Sequence, residues 1–140
     1  MSDLNVERLL YEEESSYIDF KQEQYRFAEE ENKHVRSELL KDILAFANAW
    51  RRQDAFNLIG VEEVKGGRSI VHGISEHLED ANVQEFVNSK INRPISFRYE
   101  AHTVDRESVG IIRIPEQERP FYATKDYGKV KRHVVYLRRN

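Results

Sequence analysis

Residues 33–61 read KHVRSELLKDILAFANAWRRQDAFNLIGV, and this stretch decides the fold. Val35, Leu39, Ile43, Phe46 and Trp50 recur at three- and four-residue steps, with Leu40, Leu44 and Ala47 widening the same stripe. That spacing predicts an amphipathic helix over about 33–49, its apolar face, Trp50 included, turned to a core. Arg51, Arg52, Gln53 and Asp54 interrupt the pattern, and residues 55–61 then read as a buried strand running up to Glu62 and Glu63. A long helix followed at once by such a strand needs a sheet to lie against.

Working outward, Leu4, Val6, Leu9 and Leu10 predict a short helix over 3–11, and the β-favouring Tyr17, Ile18 and Phe20 predict a strand over 16–23. Period-two geometry puts Asp19 and Lys21 on one face of that strand, with Ile18 and Phe20 on the other. Residues 25–32 are polar and acidic, a loop or helix entry. Gly66-Gly67 marks a turn from which 69–74 returns as the second arm of a hairpin. A second helix is expected over 80–91, carrying Val83, Phe86, Val87 and Ile91 on one face and capped by Asp80 or Asn82. Residues 95–102 and 109–114 alternate as strands, and Tyr122 and 133–138 supply the last strand candidates. The expected fold is α/β (α+β): one domain over 1–140 with two main helices packed on a mixed sheet.

Composition narrows the chemistry. The 140 residues include no cysteine, which excludes disulfides, thiolate zinc sites and a cysteine nucleophile. No apolar run approaches the ~18 residues of a membrane span, and residues 1–7 lack a basic-then-apolar leader, so the expected address is the cytoplasm. The net charge of -3 hides an asymmetry. Residues 1–31 hold ten acids against three bases, whereas residues 120–140 hold six bases, Lys125, Lys129, Lys131, Arg132, Arg138 and Arg139, against Asp126 alone. With Phe121, Tyr122, Tyr127 and Tyr136 among them, those bases suit nucleic-acid phosphates and bases, although a solvated sheet edge would be composed similarly.

Glu14 lies at the mouth of the first strand, Asp19 within it, and Glu62 and Glu63 at the end of the next long one. Acids converging on one point repel unless a hard cation or a raised pKa relieves them, which makes such a set a candidate Mg²⁺ or Mn²⁺ site for phosphodiester hydrolysis, with Lys21 at hand for a phosphate. From spacing alone, solvated carboxylates and a plain Asp19–Lys21 pair remain the commoner account. The five histidines show no metal-ligand spacing, and Gly66-Gly67 lacks the spaced glycines and Lys-Ser/Thr of a phosphate loop, so no ATP is expected.

The segments Glu14-Ser15-Ser16-Tyr17-Ile18-Asp19-Phe20-Lys21, Ala45-Phe46-Ala47-Asn48, Ile59-Gly60-Val61-Glu62-Glu63, Val71-His72-Gly73-Ile74 and Val134-Val135-Tyr136-Leu137-Arg138-Arg139 together resemble, in order and spacing, the Schlafen/AlbA-like domain. The resemblance implies a Schlafen-type ribonuclease site of Glu14, Asp19 and Glu63 as metal ligands with Lys21 beside them. Asp19 and Glu63 each exchange Glu for Asp, or the reverse, relative to the family. It also implies structured RNA such as tRNA as substrate, DNA for the members described as DNA-binding, and a homodimer that supplies the second lobe of the RNA cradle. A non-catalytic nucleic-acid-binding module or regulator and a protein-interaction domain stay open as alternatives. One departure stands out: where the family continues Asn-Thr-x-Gly-Gly, Asn48 is followed here by Ala49-Trp50-Arg51-Arg52-Gln53-Asp54.

Overall fold

The computed structural model describes residues 4–27 and 33–138. In chain order the elements are α1 (Val6–Leu9), β1 (Ile18–Lys21), α2 (Lys33–Asn48), β2 (Ala55–Ile59), β3 (Val61–Glu62), β4 (Ile70–Val71), α3 (Asp80–Asn88), β5 (Arg98–Val104) and β6 (Glu107–Ile114). The main sheet runs β1-β2-β6-β5, with β1 parallel to β2 and the other neighbours antiparallel. Parallel pairing of β1 and β2 follows from the crossover through α2 between them. The fold is the mixed α/β sheet with two main helices that the apolar periodicities predict.

Both faces of the sheet are covered. Leu39, Leu40, Ile43, Leu44, Phe46 and Ala47 of α2 and Val83, Phe86 and Val87 of α3 share one core with Ala55, Ile59, Ile112 and Ile114. Leu9 and Leu10 pack on the other face with Ile18, Phe20, Leu58, Val61, Val109 and Ile111. Alternation along β1 buries Ile18 and Phe20 there and turns Asp19 and Lys21 toward α2, half-buried.

Several boundaries move, each for a local reason. Helix α1 is only Val6–Leu9, capped by the Asn5 side chain accepting from the Arg8 amide at 3.2 Å. The 55–61 run is broken at Gly60, whose φ of 96° and whose approach to Gly73 and Ile74, 3.2 Å from where a Cβ would stand, require glycine. The chain leaves the main sheet there, so the hairpin expected around Gly66-Gly67 exists as a separate two-stranded sheet, Val61 opposite Val71 and Glu62 opposite Ile70. Helix α3 ends at Asn88 and its cap position is Glu79; Asp80 instead accepts from the Tyr99 amide at 2.8 Å and from Gln84. Strands β5 and β6 meet through Asp105 and Arg106, both at positive φ as a type I′ turn demands.

Two expectations fail. Trp50 is 77% exposed, because α2 ends at Asn48 and the next turn of the repeat no longer points inward. The strand expected at 133–138, with Tyr122 before it, does not form among the described residues, which show only the bridges Ile91 to Ala123 and Tyr127 to Val130 in this region. The backbone groups of the segment are taken locally: Asn48 Nδ2 donates to the Tyr136 carbonyl at 2.9 Å, and the Arg138 amide donates to the Ala45 carbonyl at 3.3 Å. On the outer edge of β1, the Ile18 carbonyl accepts from the Ser15 amide at 3.0 Å and from the Arg138 guanidinium at 3.3 Å. A side chain, rather than a strand, covers that edge.

Candidate nucleic-acid interface and acidic pocket

The loop before β1 brings Glu14 to both other acids of the expected set. Its backbone amide donates to Glu63 Oε2 at 2.7 Å, and its carboxyl hydrogen-bonds the Asp19 carboxyl, which requires a proton between them. That bond, then partial burial, then the charges of Asp19 and Glu63 raise Glu14 from 4.5 to about 7, while Arg138 pulls the other way. Glu63 reaches this place because Gly60 lets β3 turn away from the end of β2. Glu62 points elsewhere, to His72 Nε2 at 2.8 Å.

Arg138 closes the pocket from the C-terminal side. Its Nε and Nη2 donate to the Ser15 carbonyl at 3.1 and 3.0 Å, Nη1 stands 3.6 Å from Asp19 Oδ2, and the guanidinium lies 4.5 Å from the Phe46 ring centre. Lys21, on the same strand face as Asp19, sits with Nζ 4.6 Å from the centre of the Tyr25 ring.

Beneath these residues lies a polar group that the sequence reading missed. The Tyr25 hydroxyl donates to Asp42 Oδ2 at 2.5 Å and accepts from Asn57 Nδ2 at 2.7 Å, while the buried Asn57 Oδ1 has no hydrogen-bond partner among the described residues. Burial raises Asp42 above the usual carboxylate range, against its bond to Tyr25 and the charges of Lys21 and Arg138, and burial likewise pushes the Tyr25 hydroxyl well above its ordinary value. The signal was present: Asp42 falls on the Val35, Leu39, Phe46 stripe, a carboxylate where the helix repeat calls for an apolar residue.

The three acids are neighbours, yet as placed they do not fit a divalent ion. Among the described residues no three acids or histidines are arranged to share a metal. The Glu14 carboxyl is turned to Asp19, Asp19 is faced by Arg138, and one Glu63 oxygen is spent on an amide.

The basic C-terminal residues divide. Lys125, Lys131 and Arg132 are exposed, Lys129 pairs with Glu38 at 2.8 Å, and Arg138 is engaged as described; Arg139 lies outside the described residues. The turn that presents Lys131 and Arg132 is held by Asp126, which accepts from the Arg132 amide at 2.8 Å.

A family model described as Schlafen, AlbA_2 matches residues 14–140. The chain belongs to this family. Membership is consistent with a nucleic-acid-binding domain. Among solved structures, the N-terminal domain of a RecG-related protein from Nitrosomonas europaea is similar to this Schlafen, AlbA_2 chain with a TM-score of 0.53 and 20% identity, over 91% of this chain and 84% of that one, a likeness of fold. The DIP2311 protein from Corynebacterium diphtheriae overlaps 79% of this chain and 20% of its own at a TM-score of 0.49 and 20% identity. No curated protein matches the sequence. Among the described residues no helix is long and apolar enough to cross a membrane.

Proposed function

We propose that this Schlafen, AlbA_2 domain binds nucleic acid and cuts phosphodiester bonds in structured RNA such as tRNA at the Glu14, Asp19, Glu63 pocket. The observation that carries the reading is the Glu14–Asp19 carboxyl pair with Glu14 at about 7, faced by Arg138, with Lys21 on the same strand face as Asp19. A carboxyl balanced near neutrality can hold or release a proton at working pH, which is the property acid–base chemistry on a phosphodiester needs. Lys21 would meet the phosphate, and the exposed Lys125, Lys131 and Arg132 would hold the backbone further out. A two-fold dimer, the commonest soluble assembly, is the proposed working unit.

Purified protein is incubated with tRNA and with single- and double-stranded DNA, with Mn²⁺ or Mg²⁺ and then with chelator. Cleavage is expected to stop in Glu14→Ala and Asp19→Ala, with RNA affinity kept, and the chelator arm reports whether a metal takes part. Cleavage persisting in both variants, in nuclease-free preparations, defeats the catalytic assignment. Affinity should fall with salt, and Lys131→Ala with Arg132→Ala should flatten the log–log slope by about 1 per lost phosphate contact. A salt-independent affinity defeats the nucleic-acid reading. A second reading, binding without cutting, is favoured by Arg138, which occupies the approach to Asp19 at 3.6 Å; binding with no cleavage under any metal selects it.

A further inference from the structure

The segment that departs from the family resemblance builds a feature of its own. Trp50 is the most exposed large apolar side chain among the described residues, at 77%, and yet its surroundings are fixed. The Arg119 guanidinium lies 3.6 Å from its ring centre and donates through Nη1 to the Ala49 carbonyl at 3.2 Å. Arg51 ties the same loop down three times, donating to the carbonyls of Phe46, Gln53 and Pro115 at 3.1, 2.6 and 3.3 Å. Leaving an indole in water forfeits burial that most tryptophans obtain, so a rigid and outward tryptophan calls for an occupant.

The chemistry around the ring selects one. Arg119 covers one face, and the high exposure of the ring leaves area open beside a cleft of about 770 Å³. Of the residues lining the cleft only Ala47, Ala49 and Trp50 are apolar, while Arg51, Arg52 and Arg119 outnumber Glu116 and Glu118. A protein partner would seek an apolar anchor area larger than one ring. A nucleobase needs only the ring: it stacks on the indole, strengthened by the guanidinium behind it, while its phosphate meets the exposed Arg52. The two glutamates repel phosphate and so direct the backbone to the arginine side. The loop also adjoins the proposed catalytic segment, since the Phe56 amide just after it donates to the carbonyl of Tyr17, two residues before Asp19, at 2.8 Å.

We infer that Trp50, backed by Arg119, is a stacking platform for one unpaired nucleobase, a second contact that reads single-strandedness apart from the acidic pocket. The inference rests on the nucleic-acid-binding reading above. The test uses the fact that Trp50 is the single tryptophan of the chain. Its fluorescence is followed while the protein is titrated with a single-stranded oligonucleotide and, separately, with the same sequence as a blunt duplex. Quenching is expected with the single strand and not with the duplex. In parallel, anisotropy of labelled oligonucleotides should show Trp50→Ala weakening single-strand binding about tenfold, Trp50→Phe much less, and neither changing duplex affinity. Binding that persists with no quenching and equal affinity of wild type and Trp50→Ala overturns the platform while leaving the domain a nucleic-acid binder. No binding of either oligonucleotide by wild type overturns both.

Discussion

Glu14→Gln is the most revealing perturbation of the pocket, because it predicts a gain in stability from removing a candidate catalytic group. Glu14 is raised from 4.5 to about 7, first by its bond to Asp19, then by partial burial and the charges of Asp19 and Glu63. The folded chain therefore holds this proton more tightly than the unfolded chain does. Below pH 4.5 both states are protonated and nothing is lost; stability declines as the pH rises from 4.5 to about 7, then stays at a constant deficit. At full strength the interval corresponds to ~3.4 kcal/mol. The side chain is more than a third exposed, and solvent screening brings the expected deficit to ~1 kcal/mol. Glutamine keeps the shape, can donate to Asp19, and carries no charge. Urea and thermal unfolding followed by circular dichroism at pH 4.5 and pH 8 should show equal stability at the lower pH. At the higher pH the variant should be ~1 kcal/mol more stable, with Tm raised by about 3–4 °C for a chain of this size. A variant equal to or weaker than wild type at pH 8, or one whose pH dependence parallels wild type, refutes the shared-proton account.

Asn48→Ala should cost ~3–4 kcal/mol in urea unfolding, because the buried amide makes three bonds, to the Phe121 carbonyl and amide at 2.9 and 2.7 Å and to the Tyr136 carbonyl at 2.9 Å, all left unmet by alanine. Arg138→Ala removes the cation that lowers Glu14, so the Glu14 midpoint, read by carboxyl ¹³C NMR titration, should rise above about 7; a fall would contradict the arrangement.

The fold was legible wherever a periodicity was long. Helix α2 was readable because its buried residues span its length, and Ile18 and Phe20 declared the face of β1 by alternation alone. What misled was pattern continued past its physical end: Trp50 keeps the helical spacing one step after α2 has stopped, and Val61 continues an apolar run that Gly60 has already bent out of the sheet. The 133–138 segment has strand-forming residues, but strand structure needs a partner edge, and the outer edge of β1 is occupied by Ser15 and Arg138. The proximity of Glu14, Asp19 and Glu63 was suggested by the sequence motifs, and Asp42 stood out as a carboxylate on the apolar stripe of α2, whereas its partner Tyr25 entered through a tertiary contact that no spacing encodes.

The pocket also resolves an apparent conflict between an acidic site and a polyanionic ligand. Three bare carboxylates would repel an approaching phosphate by about 1 kcal/mol each at ~4 Å even in water, and by more where water is partly excluded. Here Glu14, raised to about 7, is only partly ionised at neutral pH, Arg138 faces Asp19, and Lys21 stands on the same strand face as Asp19. The charge a phosphate meets is therefore near balance at neutral pH and turns negative as the Glu14 proton leaves. The C-terminal cations divide along the same logic: Arg138 is committed inward, where it offsets the acids, and Lys125, Lys131 and Arg132 stay exposed, where long-range attraction acts first. An acidic pocket without that inward arginine would oppose the nucleic acid that the outward ones are proposed to attract.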